Sequence, residues 1–178
     1  MLTMNNIEEL LNQITVVDDF FTTDEMNNIK TKLQEPKWSF VGGGVDDIDQ
    51  SIKSNFWHME DLDDYFSNYL FNKILEKYKF SGKLLNVYAN GQTASQSGVP
   101  HWDEGDLTFL LFTENWKHHW GGNLNFCNNE EVTKVVTYKQ NRGVLFPARF
   151  LHYAGAPDKI YDGLRISVAW KIKVESEI

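Results

Sequence analysis

Cysteine, positive charge and long apolar runs are scarce in this sequence. The single cysteine, Cys127, cannot form a disulfide within the chain, which predicts a reducing compartment. No apolar run is long enough to span a bilayer, and residues 1–11 carry Asn and Glu where a secretory signal would have a basic start and an apolar stretch. These absences predict a cytoplasmic protein without a membrane segment.

The shortage of positive charge bears on the partners of the chain. The sequence has 17 Lys and Arg against 25 Asp and Glu, which gives a formal net charge of −8 at pH 7. Nucleic-acid binders need Lys and Arg to neutralise phosphates, so this charge disfavours a nucleic-acid partner.

Apolar and aromatic residues, by contrast, are abundant. They make up 42% and 14% of the 178 residues, which argues for a compact globule and against disorder. The length suits one well-filled core. We therefore predict a single domain over residues 1–178, with a helical support at 1–80 and a β-rich core at 83–173.

Two amphipathic helices are predicted within the helical support. Thr22 and Glu25 have the spacing of a capping box and precede a predicted helix over 23–34. A second helix is predicted over 61–78, because its apolar residues fall close to one face and its first turn is acidic.

Three consecutive glycines lie between these helices. Gly42 to Gly44 are followed by Val45-Asp46-Asp47, a stretch that we expect to be too rich in glycine and acidic residues for regular structure. A surface loop is the ordinary interpretation. A flap over an active site is the sharper one.

Short strands separated by turn residues are predicted in the second half of the sequence. The candidate segments are 84–88, 106–113, 122–127, 132–138, 143–146 and 164–172. Many short strands behind a pair of helices predict an α+β, mainly β fold, namely a jelly roll or barrel with the N-terminal helices packed on the outside.

The last strand has a regular alternation of side chains. Bulky apolar residues alternate with Arg165, Ser167, Ala169 and Lys171, so the two sets face opposite sides of the strand. The apolar side suits packing under the helices. The other side would leave space beside Arg165 inside a barrel, although an amphipathic strand with Arg165 in solvent gives the same pattern.

His101, Asp103 and His152 are candidate metal ligands. Two imidazoles and one carboxylate are the set that holds non-haem Fe(II) and leaves positions open for substrate and oxygen. Residues i and i+2 of an extended strand point to the same side, so His101 and Asp103 can bind one ion. His152 can join them only through tertiary structure. Arg165 then offers a forked cation that suits a carboxylate.

The remaining histidines are assigned no role in such a site. His118 and His119 lie among Trp and Gly residues, which favours a solvated turn. His58 has no carboxylate two residues away except Glu60 and is interpreted as a strand or turn residue.

Six segments together resemble the iron(II)/2-oxoglutarate-dependent dioxygenases, and among them the prolyl-4-hydroxylase-like branch. The resemblance spans about Leu84 to Lys171, roughly half of the chain. Its segments are Asn86 to Gln92, His101-Trp102-Asp103, Thr108 to Phe112, Gly121 to Phe126, Arg142 to Pro147 leading to His152, and Arg165 to Trp170.

The resemblance implies a double-stranded β-helix in which His101, Asp103 and His152 hold Fe(II). It also implies 2-oxoglutarate as cosubstrate, with its distal carboxylate paired with Arg165 and touched by Tyr88. The implied activity uses O2, with ascorbate as an optional reductant, hydroxylates a substrate C–H bond and releases succinate and CO2. In this branch the C–H bond belongs to a peptidyl proline; a free amino acid or other small metabolite is the alternative.

Other functions are weighed against these residues. Asp103 disfavours a halogenase of the same superfamily, because those enzymes replace the carboxylate with a small residue. Lys171 lies six residues after Arg165, where nucleic-acid demethylases have a second arginine, but Ser167 and Ala169 do not match that branch. A non-catalytic metal-binding jelly-roll module remains as a different class, although it would not need a cosubstrate anchor.

Two segments flank the predicted iron in sequence and contain mobile residue types. Residues 40–54 and 90–98 are therefore candidate substrate walls. The sequence leaves open whether they form a lid.

Overall fold

Strands make up most of the structure, a computed structural model that describes residues 9–45, 47–128 and 131–175. The strands are β1 (Thr15–Val17), β2 (Ser39–Val45), β3 (Lys53–Met59), β4 (Gly82–Gln92), β5 (Leu107–Phe112), β6 (Leu124–Cys127), β7 (Val132–Val136), β8 (Gly143–Pro147), β9 (His152–Ala154) and β10 (Arg165–Val174). The helical elements are α1 (Thr23–Leu33), a π-helical turn (Tyr65–Leu70) that continues into α2 (Phe71–Tyr78), and a 3-10 turn (His118–Trp120). The predicted α+β, mainly β class is confirmed.

The strands form two antiparallel sheets. The larger sheet has the order β1-β8-β5-β10-β4-β3-β2 and the smaller one β7-β6-β9. Strands distant in sequence are neighbours in both sheets, as in a jelly roll. This arrangement agrees with the double-stranded β-helix that the resemblance implies.

The first helix begins where the capping box predicts. The Glu25 backbone N–H donates to Thr22 Oγ1 over 3.3 Å, and the Thr22 N–H donates to Glu25 Oε2 over 2.8 Å. The helix buries Met26, Ile29 and Leu33 against the larger sheet. The prediction for α1 is thus confirmed to within one residue.

The second helix begins four residues later than predicted. Asp63 Oδ1 accepts from the Tyr65 N–H over 3.2 Å, and the Asp63 carbonyl accepts from the N–H groups of Phe66 and Ser67. Asp63 thus accepts from the first N–H groups of the helix while staying outside it, because a short acidic side chain that bonds to nearby backbone competes with helical bonding. The acidic residues predicted for the first turn precede it instead.

The glycine-rich segment is a strand, so the prediction of irregular structure there was wrong. Gly42 and Gly44 lie in β2, opposite Asn55 and Ser54 of β3, with a register shift between the two glycines. Ladder hydrogen bonds to β3 outweigh the low strand propensity of glycine, and the shift marks a bulge, where glycine is commonly found. The described part of the predicted helical support, residues 9–45 and 47–80, therefore supplies three strands as well as helices.

Strand β10 lies in the middle of the larger sheet. It pairs with β4 on one side and β5 on the other, and its first eight residues are all buried. Trp170 packs under the helices and donates its indole N–H to the Phe66 carbonyl over 2.9 Å. The opposite face carries Ser167 and Ala169 toward the inside, as the alternation predicts.

None of the helices in the described ranges combines the length and the apolar character that crossing a membrane requires.

Candidate metal centre

A backbone bridge brings the two predicted histidine ligands together. The His101 N–H donates to the His152 carbonyl over 3.0 Å, and the His152 N–H donates to the His101 carbonyl over 3.1 Å. The two imidazole rings lie 4.5 Å apart. Asp103 is fixed beside them because its N–H donates to the Ala148 carbonyl. Ligand atoms of His101, Asp103 and His152 all lie within 4.8 Å of one another.

Backbone carbonyls orient both imidazoles. His101 Nδ1 lies 2.8 Å from the Val99 carbonyl, and His152 Nδ1 lies 2.8 Å from the Phe150 carbonyl. A carbonyl can only accept, so each Nδ1 carries the proton and each Nε2 has a free lone pair. His101 Nε2 is 3.6 Å from Asp103 Oδ1, and His152 Nε2 is 3.4 Å from Asp103 Oδ2. Two lone pairs and a carboxylate therefore converge, which suits a divalent metal.

One oxygen of Asp103 is held by two donors from adjacent strands. Thr108 Oγ1 donates to Oδ2 over 2.6 Å from β5, and Lys171 Nζ lies 2.5 Å from the same oxygen on β10. Thr108 and Lys171 are direct partners in the β5/β10 ladder. Since both donors use Oδ2, Oδ1 is left as the less occupied ligand atom.

Electrostatics favours the ligand forms of these groups. Burial lowers the pKa of His152 to about 4, so its imidazole is neutral at pH 7. Burial alone would raise the pKa of Asp103, but Lys171 and the two histidines lower it overall to below its ordinary value. The carboxylate is thus ionised and the imidazole unprotonated, as a metal requires.

Arg165 is a fully buried cation without an anionic partner among the described residues. Its Nε donates to the Gly122 carbonyl over 2.7 Å, and Nη1 donates to Gln92 Oε1 over 2.9 Å and to Ser167 Oγ over 3.4 Å. Nη2 has no hydrogen-bond partner in the described part of the protein. Burial lowers the pKa of Arg165 to about 10, which still leaves it charged at pH 7.

A cavity of about 630 Å³ connects the metal candidates with the partners of Arg165. Its size is typical of small-molecule sites. Its lining residues come from both sheets and include His101, His152, Gln92, Ser167, Ala169 and Lys171. Along β10, Ser167, Ala169 and Lys171 line the cavity, and Arg165 bonds to the lining residues Gln92 and Ser167.

Tyr88 lines this cavity, but along β4 it lies away from the position that pairs with Arg165. It is opposite Ala169 in the ladder, whereas Arg165 is opposite Gln92. Lys171 Nζ lies 5.3 Å from the Tyr88 ring centroid. The neutral amide of Gln92 therefore contacts Arg165, and contact of Tyr88 with a cosubstrate carboxylate stays a prediction.

Lys171, His58 and Thr108 were missed as site candidates by the sequence reasoning. The sequence places Lys171 on the Arg165 side of the last strand without a role at the metal, and His58 is interpreted there as a strand or turn residue. His58 lies in β3 and lines the cavity, and Thr108 contacts Asp103. Gln92, which contacts Arg165, belongs to the candidate wall 90–98. The alternation of β10 could have identified Lys171, because it places Lys171 on the side of Arg165.

Both candidate substrate walls contribute to the cavity. Asp47 and Ser54 come from the first, and Asn90, Gln92 and Gly98 from the second. Asp47 also reaches the metal segment: its Oδ2 accepts from the Trp102 N–H over 2.8 Å. The end of the β2–β3 hairpin is thus bonded to the residue between two candidate ligands.

Sequence comparison gives no relatives: no family model matches the chain, and no curated protein matches it. Solved structures are similar in fold. A 2OG-Fe(II) oxygenase family oxidoreductase from Burkholderia pseudomallei has 10% identity and a TM-score of 0.72, over 97% of this chain and 93% of that one. HygX from Streptomyces hygroscopicus, with nickel and 2-oxoglutarate bound, has 11% identity and a TM-score of 0.69, over 97% and 87%. A Pseudomonas putida prolyl-4-hydroxylase has 13% identity and a TM-score of 0.65, over 94% and 97%.

At these identities the likeness is one of fold. The chain spans most of the length of each structure, so the shared architecture covers the whole described fold and not a fragment. This protein has the fold of the 2OG-Fe(II) oxygenases, with two histidines and an aspartate brought together in its cavity.

Proposed function

We propose that this protein is an Fe(II)- and 2-oxoglutarate-dependent dioxygenase that hydroxylates a C–H bond of its substrate. In this proposal His101, Asp103 and His152 hold the metal, and Arg165 binds the distal carboxylate of 2-oxoglutarate. When bound, the metal and 2-oxoglutarate supply the oxidising chemistry, with O2 consumed and succinate and CO2 released.

The observation that carries the proposal is the unpaired guanidinium of Arg165. A fully buried cation is costly unless an anion lies beside it. Here Nε and Nη1 donate only to neutral oxygens, and Nη2 is free within the described ranges. A ligand carboxylate would accept from Nη2 and offset the desolvation of the charge. A metal-binding module would have no use for such a cation.

The protein residues have distinct tasks in this scheme. The carbonyls of Val99 and Phe150 hold the imidazoles with Nε2 toward the metal position. Thr108 and Lys171 hold Asp103 Oδ2, which directs Oδ1 to the metal position. Asp103 and His152 are almost fully buried, whereas 37% of the His101 side chain is exposed.

Peptidyl proline is our first substrate candidate. It follows from the prolyl-4-hydroxylase-like segments of the sequence, and the solved structures of similar fold include the Pseudomonas putida prolyl-4-hydroxylase and a prolyl hydroxylase from Trichoplax adhaerens bound to a peptide fragment. Tyr88 is proposed as a further contact of the cosubstrate.

A small molecule is the second candidate, and one observation favours it. The cavity wall formed by β3 and β4 carries polar groups, among them the Ser54 hydroxyl, which has no hydrogen-bond partner among the described residues. HygX, which has a similar fold, has been solved with hygromycin B bound.

We also propose that residues 1–178 act as one domain, because the main apolar cluster joins α1 and α2 to β10. The proposal of a reducing compartment rests on the single cysteine, Cys127.

The test of this function is the visible charge-transfer band of an Fe(II)–2-oxoglutarate complex. We expect anaerobic addition of Fe(II) and 2-oxoglutarate to the metal-free protein to give this band. In the variant His152→Ala the band should be absent, because one of the three ligands is lost.

The matched control is His119→Ala, which removes a histidine of the 3-10 turn. It should leave the band unchanged. Retention of the full band in His152→Ala, or its absence from the unaltered protein, would contradict the proposal.

A further inference from the structure

The cavity has an outer wall made by two neighbouring strands. Ser54, Phe56 and His58 of β3 alternate with residues that face outward, and all three line the cavity. Tyr88 and Asn90 of β4 line it beside them. His58 is opposite Asn90 in the ladder, so the two polar side chains meet at one register position. We call these five residues the outer wall.

Ser54 gives this wall an unused hydrogen-bonding group. The residue is only 7% exposed, and its Oγ has no hydrogen-bond partner among the described residues. A buried hydroxyl without a partner loses free energy relative to one in water. Because it faces the cavity, a bound molecule can supply the missing partner.

His58 and Asn90 form a second polar group in the wall. His58 Nδ1 lies 2.7 Å from Asn90 Oδ1, so the imidazole donates and the amide oxygen accepts. The Tyr88 ring packs 4.9 Å from the imidazole centroid. His58 Nε2 points toward the rim, 3.4 Å from Glu60 Oε1.

The charges at this rim are negative. Two acidic residues, Glu60 and Asp47, line the cavity together with the outer wall. Lys171 is the one Lys or Arg among the described lining residues, and it is bonded to Asp103 at the floor. The outer half of the cavity therefore attracts a cation, whereas Arg165, which bonds to Gln92 and Ser167 of the lining, attracts an anion.

From this separation of charge we propose that the outer wall is a substrate subsite for a small, amine-bearing molecule. The ammonium group lies at Glu60 and Asp47, and a hydroxyl or carbonyl of the same molecule bonds to Ser54. This inference rests on the proposed dioxygenase function and names the substrate class of the same cavity.

Matched pairs of compounds test the charge preference. Glucosamine and lysine would be compared with N-acetylglucosamine and Nε-acetyl-lysine, together with proline-containing peptides whose termini are blocked. Binding would be measured by calorimetry on protein loaded with Zn²⁺ and 2-oxoglutarate, and turnover by succinate release from the Fe(II) enzyme. We expect an amine to bind, and its acetylated partner to bind at least about threefold more weakly.

Substitutions locate the subsite. Glu60→Gln should weaken binding of the amine about threefold and leave its acetylated partner unaffected, because only a charge is removed from an exposed side chain. Ser54→Ala should weaken both members about tenfold, since a buried hydrogen bond is lost from each. The control is Asn55→Ala, an exposed residue on the opposite face of β3, which should change neither.

Three results would overturn the subsite: no amine of the panel binds, the acetylated compounds or blocked peptides are preferred, or Glu60→Gln weakens amine and acetylated compound alike. The Fe(II)–2-oxoglutarate band is recorded without any panel compound. Absence of this band from the unaltered protein would therefore reject the dioxygenase function. If the band is present, any of the three results would reject the subsite alone.

Discussion

Arg165 and Lys171 are two buried cations on one face of the same strand, and their surroundings differ. Lys171 has an anion of the chain beside it, because its Nζ lies 2.5 Å from Asp103 Oδ2. Within the part of the chain that the structure describes, Arg165 bonds only to neutral groups, those of Gly122, Gln92 and Ser167. The charge of Lys171 is thus balanced within the protein, whereas that of Arg165 has no anionic partner among the described residues.

The pKa values of the two cations reflect this difference. Burial lowers the pKa of Arg165 to about 10, and the nearby Tyr138 opposes this only weakly. Burial also lowers the pKa of Lys171, but Tyr88 and Asp103 more than reverse the effect and leave it above its ordinary value. The same desolvation therefore has opposite outcomes, according to whether an anion is present.

The largest effect is expected when Lys171, the cation beside Asp103, is removed. In the metal-free protein, Lys171→Met should lower the free energy of unfolding by about 3 kcal/mol, because it leaves the buried Asp103 carboxylate without its cation. Urea denaturation at pH 7 measures this. Lys173→Met is the control, since that lysine pairs with Asp106 at the surface, and it should cost less than about 1 kcal/mol. Equal losses of unfolding free energy in Lys171→Met and Lys173→Met would show that the buried Asp103 carboxylate does not depend on Lys171.

Substitution of Arg165 should change ligand binding and leave the free energy of unfolding nearly the same. Arg165→Met should leave the free energy of unfolding of the metal-free protein within about 1 kcal/mol, because an unpaired buried charge is replaced by an apolar side chain. Its affinity for 2-oxoglutarate should fall about 100-fold, and its affinity for Co²⁺ should stay within about twofold. Calorimetric titration of each ligand tests this. Equal weakening of both ligands would mean that Arg165 is structural.

The smallest effect concerns pH. The pKa of His152 is about 4 in the folded protein and about 6.5 when the imidazole is in water. The unfolded chain therefore takes up a proton first as the pH falls, and the stability that is present above pH 6.5 declines toward pH 4. Between pH 7 and 5.5 this amounts to about 1 kcal/mol.

The difference between the protein and its His152→Asn variant isolates this contribution from other titrating groups. In the variant, the decline in the free energy of unfolding between pH 7 and 5.5 should be smaller by that amount. Parallel curves for the two proteins would exclude His152 as the cause.

The side that each residue of β10 faces could be predicted from the sequence, but the partners of those residues could not. Alternation places Arg165 and Lys171 together because a strand has a period of two. It says nothing of Asp103, which reaches Lys171 through the pairing of β5 with β10. Convergence of the candidate ligands was predicted from residue type and order, and the His101–His152 bridge supplies it.

His58 was missed for a related reason. Its neighbours in the cavity come from β4, and that pairing follows from the register of β3 in the larger sheet. The glycines of β2 concealed this sheet edge, because their low strand propensity suggested irregular structure. Local sequence patterns thus indicated the floor of the cavity, whereas its outer wall depended on pairings between distant segments.

The position of β10 also has an evolutionary consequence. A one-residue insertion in this strand would invert its faces and disrupt pairing with both β4 and β5. Strand β3 is only one strand from the sheet edge, and its hairpin with β2 can change length at its end. Changes in the length of this hairpin can therefore reshape the outer wall of the cavity while β10 and the candidate metal ligands keep their positions.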